Sequence, residues 1–148
     1  MINGIKITKL KQIKDRRGSI MHMLRKDSSV FKKFGEIYFS TINKNIVKAW
    51  HLHKEATLNY VCISGKIRLV LFDDRKKSFT YGKYFEINLS PKSYFLITIP
   101  PLIWNGFKNL SKSTSIVANC LDLPHNEEEM VRKNPNDNYF KYNWNKTF

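Results

Sequence analysis

Short strand-like runs, each closed by a turn signal, constrain the fold of this chain more than any other feature. Residues 66–72 (KIRLVLF) alternate cleanly between apolar and polar faces and predict a half-buried strand. Turn-forming pairs such as Ser64-Gly65 and Asp73-Asp74 bound this run. Repetition of the pattern predicts an all-β sandwich or barrel. A jelly roll is the most economical choice, because its two sheets close around a cavity.

The predicted strands extend over most of the chain. They are residues 5–14, 20–24, Glu36–Ile42, 47–63, 66–72, Tyr84–Leu89, 94–99 and Ser115–Leu121. Pro100-Pro101 is expected to interrupt strand pairing. A short helix is predicted over residues 30–34, capped by residues 27–29, and a helical turn with a loop within residues 125–138. The aromatic tail, residues 139–144, is expected to dock on the body or on a partner.

Length and composition indicate one globular domain over residues 1–148. The chain is 42% hydrophobic and 14% aromatic, which argues against disorder. No apolar run of about 18 residues predicts a membrane span, and the N-terminus has no apolar signal core. Cys62 and Cys120 lie in apolar runs and are expected to be reduced core thiols. These features predict a cytoplasmic protein with no membrane partner.

The chain is strongly basic, with 26 Lys and Arg against 12 Asp and Glu and a formal net charge of +14. Such a charge is compatible with nucleic acid, with an anionic small substrate such as a nucleotide diphosphate, or with no specific partner. The lysines are scattered and no nucleic-acid motif is present. We therefore expect no nucleic-acid partner and favour a basic surface around a pocket that accepts phosphate.

Two histidines stand two residues apart in the segment KAWHLH, residues 48–53. Because strand side chains alternate, His51 and His53 are expected on one face with Ala49, and Lys48 and Trp50 on the other. Two imidazoles on one face can bind a metal, carry a proton, or be satisfied core residues. The functional question depends on which of these applies.

A family resemblance is carried by three segments in a fixed order. They are KAWHLHKEATLNYVCISGKIRLVLFDDR, SFTYGKY and IPPLIWNGFKNLS. Together they are similar to the dTDP-4-dehydrorhamnose 3,5-epimerase family, whose members are small double-stranded β-helix (cupin, jelly-roll) proteins. The resemblance covers most of the chain and implies a nucleotide-sugar substrate, no cofactor and a homodimer.

The resemblance also assigns roles to particular residues. It implies a general base at His51 and substrate-binding residues at Lys48, Arg17 and Glu129. Arg75 is a further candidate phosphate ligand, and Arg17, Lys48 and Arg75 could each instead be a surface charge. At other family positions the chain differs. Asn59 stands where the family has its catalytic lysine and Asn105 where it has a histidine, and both are kept as substrate-binding candidates. The acid tyrosine falls near Ala118 and the aspartate that pairs with the base near Asn134.

A second resemblance is to sugar-nucleotide 3,4-ketoisomerases, which carry His-x-His on the same strand. Their Arg-Gly-Phe-His-Ala-His-Lys is similar to residues 48–54. This resemblance implies catalytic roles for His51, His53 and Tyr38, with Lys48 at the position of an arginine. Tyr38 and Tyr60 could each instead be a core residue whose role is packing.

Metal binding is the alternative use of a His-x-His pair in cupins. The glutamate that would follow falls near Leu58, and the later histidine is Asn105. Two imidazoles and an amide are a poor ligand set for zinc, iron or manganese. We therefore expect no metal.

Three functions remain open on the sequence. A neutral imidazole can remove an acidic C–H proton beside a keto group. Reprotonation on the opposite face gives epimerisation of a nucleotide-linked, dTDP-type 4-keto-6-deoxy sugar in polysaccharide biosynthesis. Proton transfer between neighbouring carbons gives 3,4-ketoisomerisation instead. The third possibility is a non-catalytic cupin that binds a sugar nucleotide.

Overall fold

Two antiparallel sheets form the body of the protein in a computed structural model that describes residues 1–146. The strands are β1 (Lys6–Lys9), β2 (Gln12–Asp15), β3 (Gly18–Met21), β4 (Glu36–Ile42), β5 (Val47–His53), β6 (Leu58–Ser64), β7 (Ile67–Asp73), β8 (Tyr84–Leu89), β9 (Phe95–Ile99), β10 (Ile103–Asn109), β11 (Ser115–Leu121) and β12 (Met130–Arg132). Sheet 1 has the order β1-β9-β6-β11-β4 and sheet 2 the order β12-β5-β10-β7-β8, while β2 and β3 form a separate hairpin. The predicted all-β jelly roll is confirmed.

Strand β7 explains how the sheets are held together. Ile67, Leu69 and Leu71 point into the core between the sheets. Val70 and Phe72 point to the other face of sheet 2, where an aromatic cluster covers them. The alternation of faces along β7 was predicted, but the prediction that the strand would be only half-buried was wrong. Both faces of β7 are buried because a distant segment of the chain packs on the outer one.

That distant segment is the aromatic tail, which docks on the body of the same chain. The Phe140 ring stacks on the Trp50 ring with a centroid separation of 4.3 Å. The centroid of the Trp144 ring lies 5.0 Å from that of Trp50. All three side chains are buried. The outer face of sheet 2 therefore has an apolar layer of its own, distinct from the core between the sheets.

The predicted run over residues 47–63 is two strands in different sheets. Strand β5 belongs to sheet 2 and β6 to sheet 1, so residues 54–57 cross from one sheet to the other. Strand β10 was not predicted at all, although it pairs with both β5 and β7. Its Asn105-Gly106 pair resembles a turn signal, and only the tertiary pairing makes it a strand interior. Pro100 and Pro101 lie between β9 and β10, as expected.

The predicted helix over residues 30–34 is wrong. Residues 26–30 form turns, with the Phe31 amide donating to the Ser28 carbonyl at 3.0 Å, and residues 31–35 are irregular. Val30 is buried while Phe34 is exposed. One buried residue gives a helix of this length too little packing to offset the cost of nucleation.

The remaining expectations concern the C-terminal segment, the cysteines and the membrane. A 3₁₀ turn forms at Glu127–Glu129, as predicted, but it leads directly into β12, which was missed. Cys62 and Cys120 are buried and unpaired. In the part of the chain that the structure describes, no helix is long and apolar enough to cross a bilayer.

The aromatic layer should contribute strongly to stability. We expect Phe140→Ala to lower the free energy of unfolding by about 3–5 kcal/mol, because it leaves a cavity beside Trp50. Urea denaturation measures this change. Phe79→Ala is the matched control, since Phe79 is 79% exposed and its loss should cost less than about 0.5 kcal/mol. Equal effects of the two substitutions would contradict the role given to the tail.

Candidate active site

A cleft of about 550 Å³ opens between the two sheets beside strands β4 and β5. One wall is sheet 1, through β4, β6 and β11; the other is sheet 2, through β5 and β10; residues 124–135 close one side. Its polar lining residues are Glu36, Tyr38, Ser40, Lys48, His51, His53, Tyr60, Asn119, His125, Asn126, Glu129 and Arg132. The cleft thus brings together the predicted site residues His51, His53, Tyr38, Lys48 and Glu129.

A bulge in β5 shapes the sheet 2 wall. Asn105 pairs with His51 and Phe107 with Lys48, so one residue of β10 faces two of β5. The extra residue reverses the alternation, and Lys48 therefore lies on the same face as His51. The expectation that Lys48 would point away was wrong for this reason. Gly106 is required here, because a Cβ at this position would lie 2.3 Å from the Cβ of Ala49.

His51 projects into the cleft without a hydrogen-bond partner for its ring among the described residues. Burial lowers the pKa of His51 to about 4, and the positive charge of Arg132 acts in the same direction. Smaller contributions come from His53 and Lys48. The imidazole is therefore neutral at pH 7 and has a free lone pair with which to accept a proton.

His53 is held by a carboxylate that is itself held by the backbone. Its Nδ1 lies 2.7 Å from Oε2 of Glu129. The other carboxylate oxygen accepts hydrogen bonds from the amides of Glu55 and Ala56, at 2.9 and 2.8 Å. Burial would raise the pKa of Glu129, but these hydrogen bonds outweigh it and the pKa is lowered. An ionised Glu129 favours the Nδ1–H tautomer of His53 and leaves Nε2 as the unprotonated nitrogen.

Two phenols stand on the wall opposite the imidazoles. The Tyr38 oxygen accepts a hydrogen bond from Nδ2 of Asn119 at 2.9 Å. Burial raises the pKa of Tyr38, although the bond from Asn119 opposes this effect. Burial also raises the pKa of Tyr60 well above its ordinary value. Both side chains are therefore protonated at neutral pH. Tyr60, for which a packing role was also predicted, lines the cleft.

The structure places Asn59 and Asn105 outside the cleft lining. Nδ2 of Asn59 donates to the Cys120 carbonyl at 3.1 Å, and its Oδ1 accepts from Thr98 at 2.8 Å. These contacts tie β6 to its two neighbours. Asn105 is fully buried behind Tyr60 and donates from Nδ2 to the His51 carbonyl at 3.0 Å.

Strand alternation also separates Ala118 from the cleft. Val117, Asn119 and Leu121 line it, whereas Ala118 belongs to the opposite face of β11. Asn134, where the resemblance placed the partner of the base, is likewise not among the lining residues. The carboxylate that contacts an imidazole in the cleft is Glu129.

Two of the predicted arginines lie elsewhere. Arg17 is exposed at the β2–β3 turn and pairs with Asp15 at 2.6 Å. Arg75 pairs with Asp73 at 2.8 Å and also donates to the Asn3 carbonyl. Arg132 is the arginine that does line the cleft, and it pairs in register with His51. Strand β12, which carries Arg132, is only three residues long and gives no periodic signal, so the sequence did not indicate Arg132 as a site residue.

Metal ligands are not grouped in this cleft. Within residues 1–146, no three His, Cys, Asp or Glu side chains lie close enough together to hold a metal ion. The Nδ1 atom of His53 is already engaged by Glu129.

Comparison with known proteins gives a match over the whole chain. The family model described as dTDP-4-dehydrorhamnose 3,5-epimerase matches residues 1–148. The probable low-salt glycan biosynthesis epimerase Agl13 of Haloferax volcanii is 28% identical over 136 residues, covering 88% of this chain and 87% of that protein. The spore coat polysaccharide biosynthesis protein SpsL of Bacillus subtilis is 25% identical, covering 100% of this chain and 99% of that protein.

Solved structures agree. A dTDP sugar isomerase from Desulfovibrio desulfuricans G20 superposes with a TM-score of 0.94 at 38% identity, covering 97% of this chain and 92% of that one. The 3,4-ketoisomerase QdtA of Thermoanaerobacterium thermosaccharolyticum shares the fold alone, with a TM-score of 0.74 at 20% identity and 95% coverage of each chain. On this evidence the chain belongs to the dTDP-4-dehydrorhamnose 3,5-epimerase family and is a sugar-nucleotide epimerase or isomerase.

Proposed function

We propose that the enzyme inverts a carbon next to the keto group of a nucleotide-linked 4-keto-6-deoxy sugar. One observation carries this proposal: a neutral imidazole, His51, stands on one wall of the cleft and the phenol of Tyr38 on the other. Epimerisation needs a base and an acid on opposite faces of the reacting carbon. Two sheets that face each other across a cleft supply that arrangement.

The first step is removal of the C–H proton by His51. The imidazole is neutral at pH 7, and positioned acid–base catalysis of this kind contributes about 10²–10⁴-fold. The enolate that forms carries negative charge, which a nearby cation stabilises. Lys48 and Arg132 line the same wall; the ammonium of Lys48 donates to Ser40 at 3.0 Å and remains in the cleft.

A nucleotide diphosphate fits the charge of the cleft. Its cationic groups, Lys48 and Arg132, suit phosphate oxygens as well as an enolate, and the net charge of +14 attracts an anionic substrate. A dTDP-4-dehydrorhamnose 3,5-epimerase from Bacillus anthracis has been solved with TDP bound, and QdtA likewise. We infer that this chain also takes a thymidine diphosphate sugar.

The relatives suggest the pathway. SpsL and Agl13 are named for polysaccharide and glycan biosynthesis, and we propose that this enzyme supplies a deoxysugar for such a polymer. Its two free, buried cysteines suit a reducing compartment. We accordingly propose a cytoplasmic location, which cell fractionation with an antibody tests directly.

A 3,4-ketoisomerase is the second candidate. The observation in its favour is that His51 and His53 share one wall of the cleft. Two proton carriers on the same side can take a proton from one carbon and return it to the neighbouring oxygen or carbon. Glu129 would then hold the His53 ring in place through the contact with its Nδ1 atom.

Reaction of TDP-4-keto-6-deoxyglucose in D₂O, followed by NMR, distinguishes these functions. We expect deuterium at a carbon adjacent to C4, with inverted configuration and the carbonyl unmoved. A carbonyl transferred to C3 would instead establish ketoisomerisation. Absence of exchange with this substrate and with other nucleotide-linked 4-keto sugars would indicate a non-catalytic, binding cupin and would refute the proposal.

Replacement of the base should abolish turnover. We expect His51→Asn to lower kcat by at least about 10²-fold, because an asparagine at this position cannot take the C–H proton that His51 removes. The initial rate of product formation measures the loss. His22→Asn is the matched control, since His22 lies outside the cleft lining, and it should leave the rate unchanged. Normal turnover by His51→Asn would rule out this histidine as the base.

We also propose that the enzyme is a homodimer. Ile13 and Ile20 face each other across the β2–β3 hairpin and are 45% and 63% exposed, an apolar pair that a second copy would cover. Light scattering of the purified protein should give twice the chain mass. Ile20→Ser should shift the mass toward that of one chain, whereas Leu102→Ser, at a separate exposed site, should not. A monomeric wild-type protein would contradict the proposal.

A further inference from the structure

A chain of hydrogen bonds behind the sheet 1 wall fixes the direction in which the phenols donate. Its first member is Asn119, which is fully buried. The Oδ1 atom of Asn119 accepts from the backbone amide of Asn59 at 3.1 Å. This contact settles which end of the amide is which, so that Nδ2 faces Tyr38 and donates to its oxygen at 2.9 Å.

The chain has a second fixed amide at Asn105. Its Nδ2 donates to the His51 carbonyl at 3.0 Å, so its Oδ1 is directed toward the phenols. Tyr60 donates its hydroxyl proton to that oxygen at 3.0 Å. The proton of Tyr60 is therefore committed, and its oxygen is left with lone pairs only.

These two fixed amides leave one phenolic proton unassigned. Tyr38 accepts from Asn119, so its own O–H must point away from Asn119. Tyr60 cannot donate to Tyr38, because its one proton is given to Asn105. The cleft, which both phenols line, is the direction open to the Tyr38 proton. Tyr38 is 38% exposed, whereas Tyr60 is buried. Tyr38 is thus the phenol that can meet a substrate.

The same geometry accounts for residues that depart from the family pattern. Asn59 and Ala118 stand one residue away from Tyr60 and Asn119, both of which line the cleft. Asn105, which replaces a histidine, anchors Tyr60. The chain therefore presents a phenol pair held by amides at the wall where the family pattern has a lysine and a tyrosine.

We propose that Asn119 is a positioning residue that aims the hydroxyl proton of Tyr38 at the reacting carbon, on the face opposite His51. The inference deepens the proposed epimerisation and rests on it. It identifies Tyr38 as the proton donor and assigns Asn119 the task of keeping the Tyr38 proton available.

The proton balance is complete without a further reactant. His51 takes the C–H proton, and the electron pair of that bond forms the enolate. Tyr38 then gives its O–H proton to the same carbon from the other side, which forms the inverted C–H bond and leaves a phenolate. The imidazolium releases a proton to water and the phenolate takes one up, so both groups return to their starting states.

The test separates deprotonation from inversion. In D₂O, an enzyme that lacks the donor still removes the proton at His51, exchanges it with solvent and returns deuterium to the same face. For Tyr38→Phe we expect inverted product to fall about 10²-fold, while deuterium uptake into recovered substrate falls by less than about tenfold. Tyr81→Phe is the control, because Tyr81 lies outside the cleft lining, and its ratio of inversion to exchange should match that of the wild-type enzyme.

Asn119→Asp tests the positioning role with little change in volume. The new side chain still accepts from the Asn59 amide, but an ionised carboxylate draws the Tyr38 proton to itself instead of donating. We expect the ratio of inversion to exchange to fall about tenfold at neutral pH, and to rise again on acidification as the carboxyl becomes a donor. A merely structural role would not give this recovery. Thermal melting checks that each variant is folded.

The outcomes are distinct. An unchanged ratio in Tyr38→Phe would overturn the inference alone, since deprotonation and inversion would both persist without the phenol. A reduced ratio in Tyr38→Phe with no change in Asn119→Asp would overturn the positioning role. Absence of exchange in the wild-type enzyme would overturn the proposed function itself, and this inference with it.

Discussion

The bulge between β5 and β10 is the constraint on which the site depends. Because two residues of β5 face one of β10, Lys48 and His51 come to the same wall while Trp50 points to the aromatic layer on the other face of sheet 2. Gly106 allows this close approach to Ala49. One local irregularity thus directs a cation and an imidazole into the cleft and anchors the tail at the same time.

Around this bulge the cleft is assembled from distant parts of the chain. Glu129 reaches His53 from a segment that follows the last long strand, and the backbone amides of the β5–β6 loop hold the carboxylate. Buried amides fix the phenols on the opposite wall. His53 and Tyr38 are therefore each oriented by a hydrogen-bonded neighbour, Glu129 and Asn119, which is the usual means of keeping a site preorganised.

Alternation in the sequence was a good guide to most strands and to the pairing of His51 with His53 on one face. It failed where tertiary pairing overrides local signals: β10 contains an Asn-Gly pair, and β12 is three residues long. Residue-by-residue transfer of family roles placed Asn59 and Ala118 at the site, whereas Tyr60 and Asn119 line it. In a strand, a shift of one position changes the face, so such transfers are sensitive to the smallest misalignment.

The sequence by itself determined the all-β architecture and the histidine strand, because period-two patterns and turn residues are local properties. The tertiary structure alone decided the face of Lys48, the partner of His53 and the position of Tyr60 in the cleft. These depend on register, on a bulge and on contacts between residues far apart in the chain. Hydrogen-bond distances of about 3 Å are set only when whole sheets have packed together.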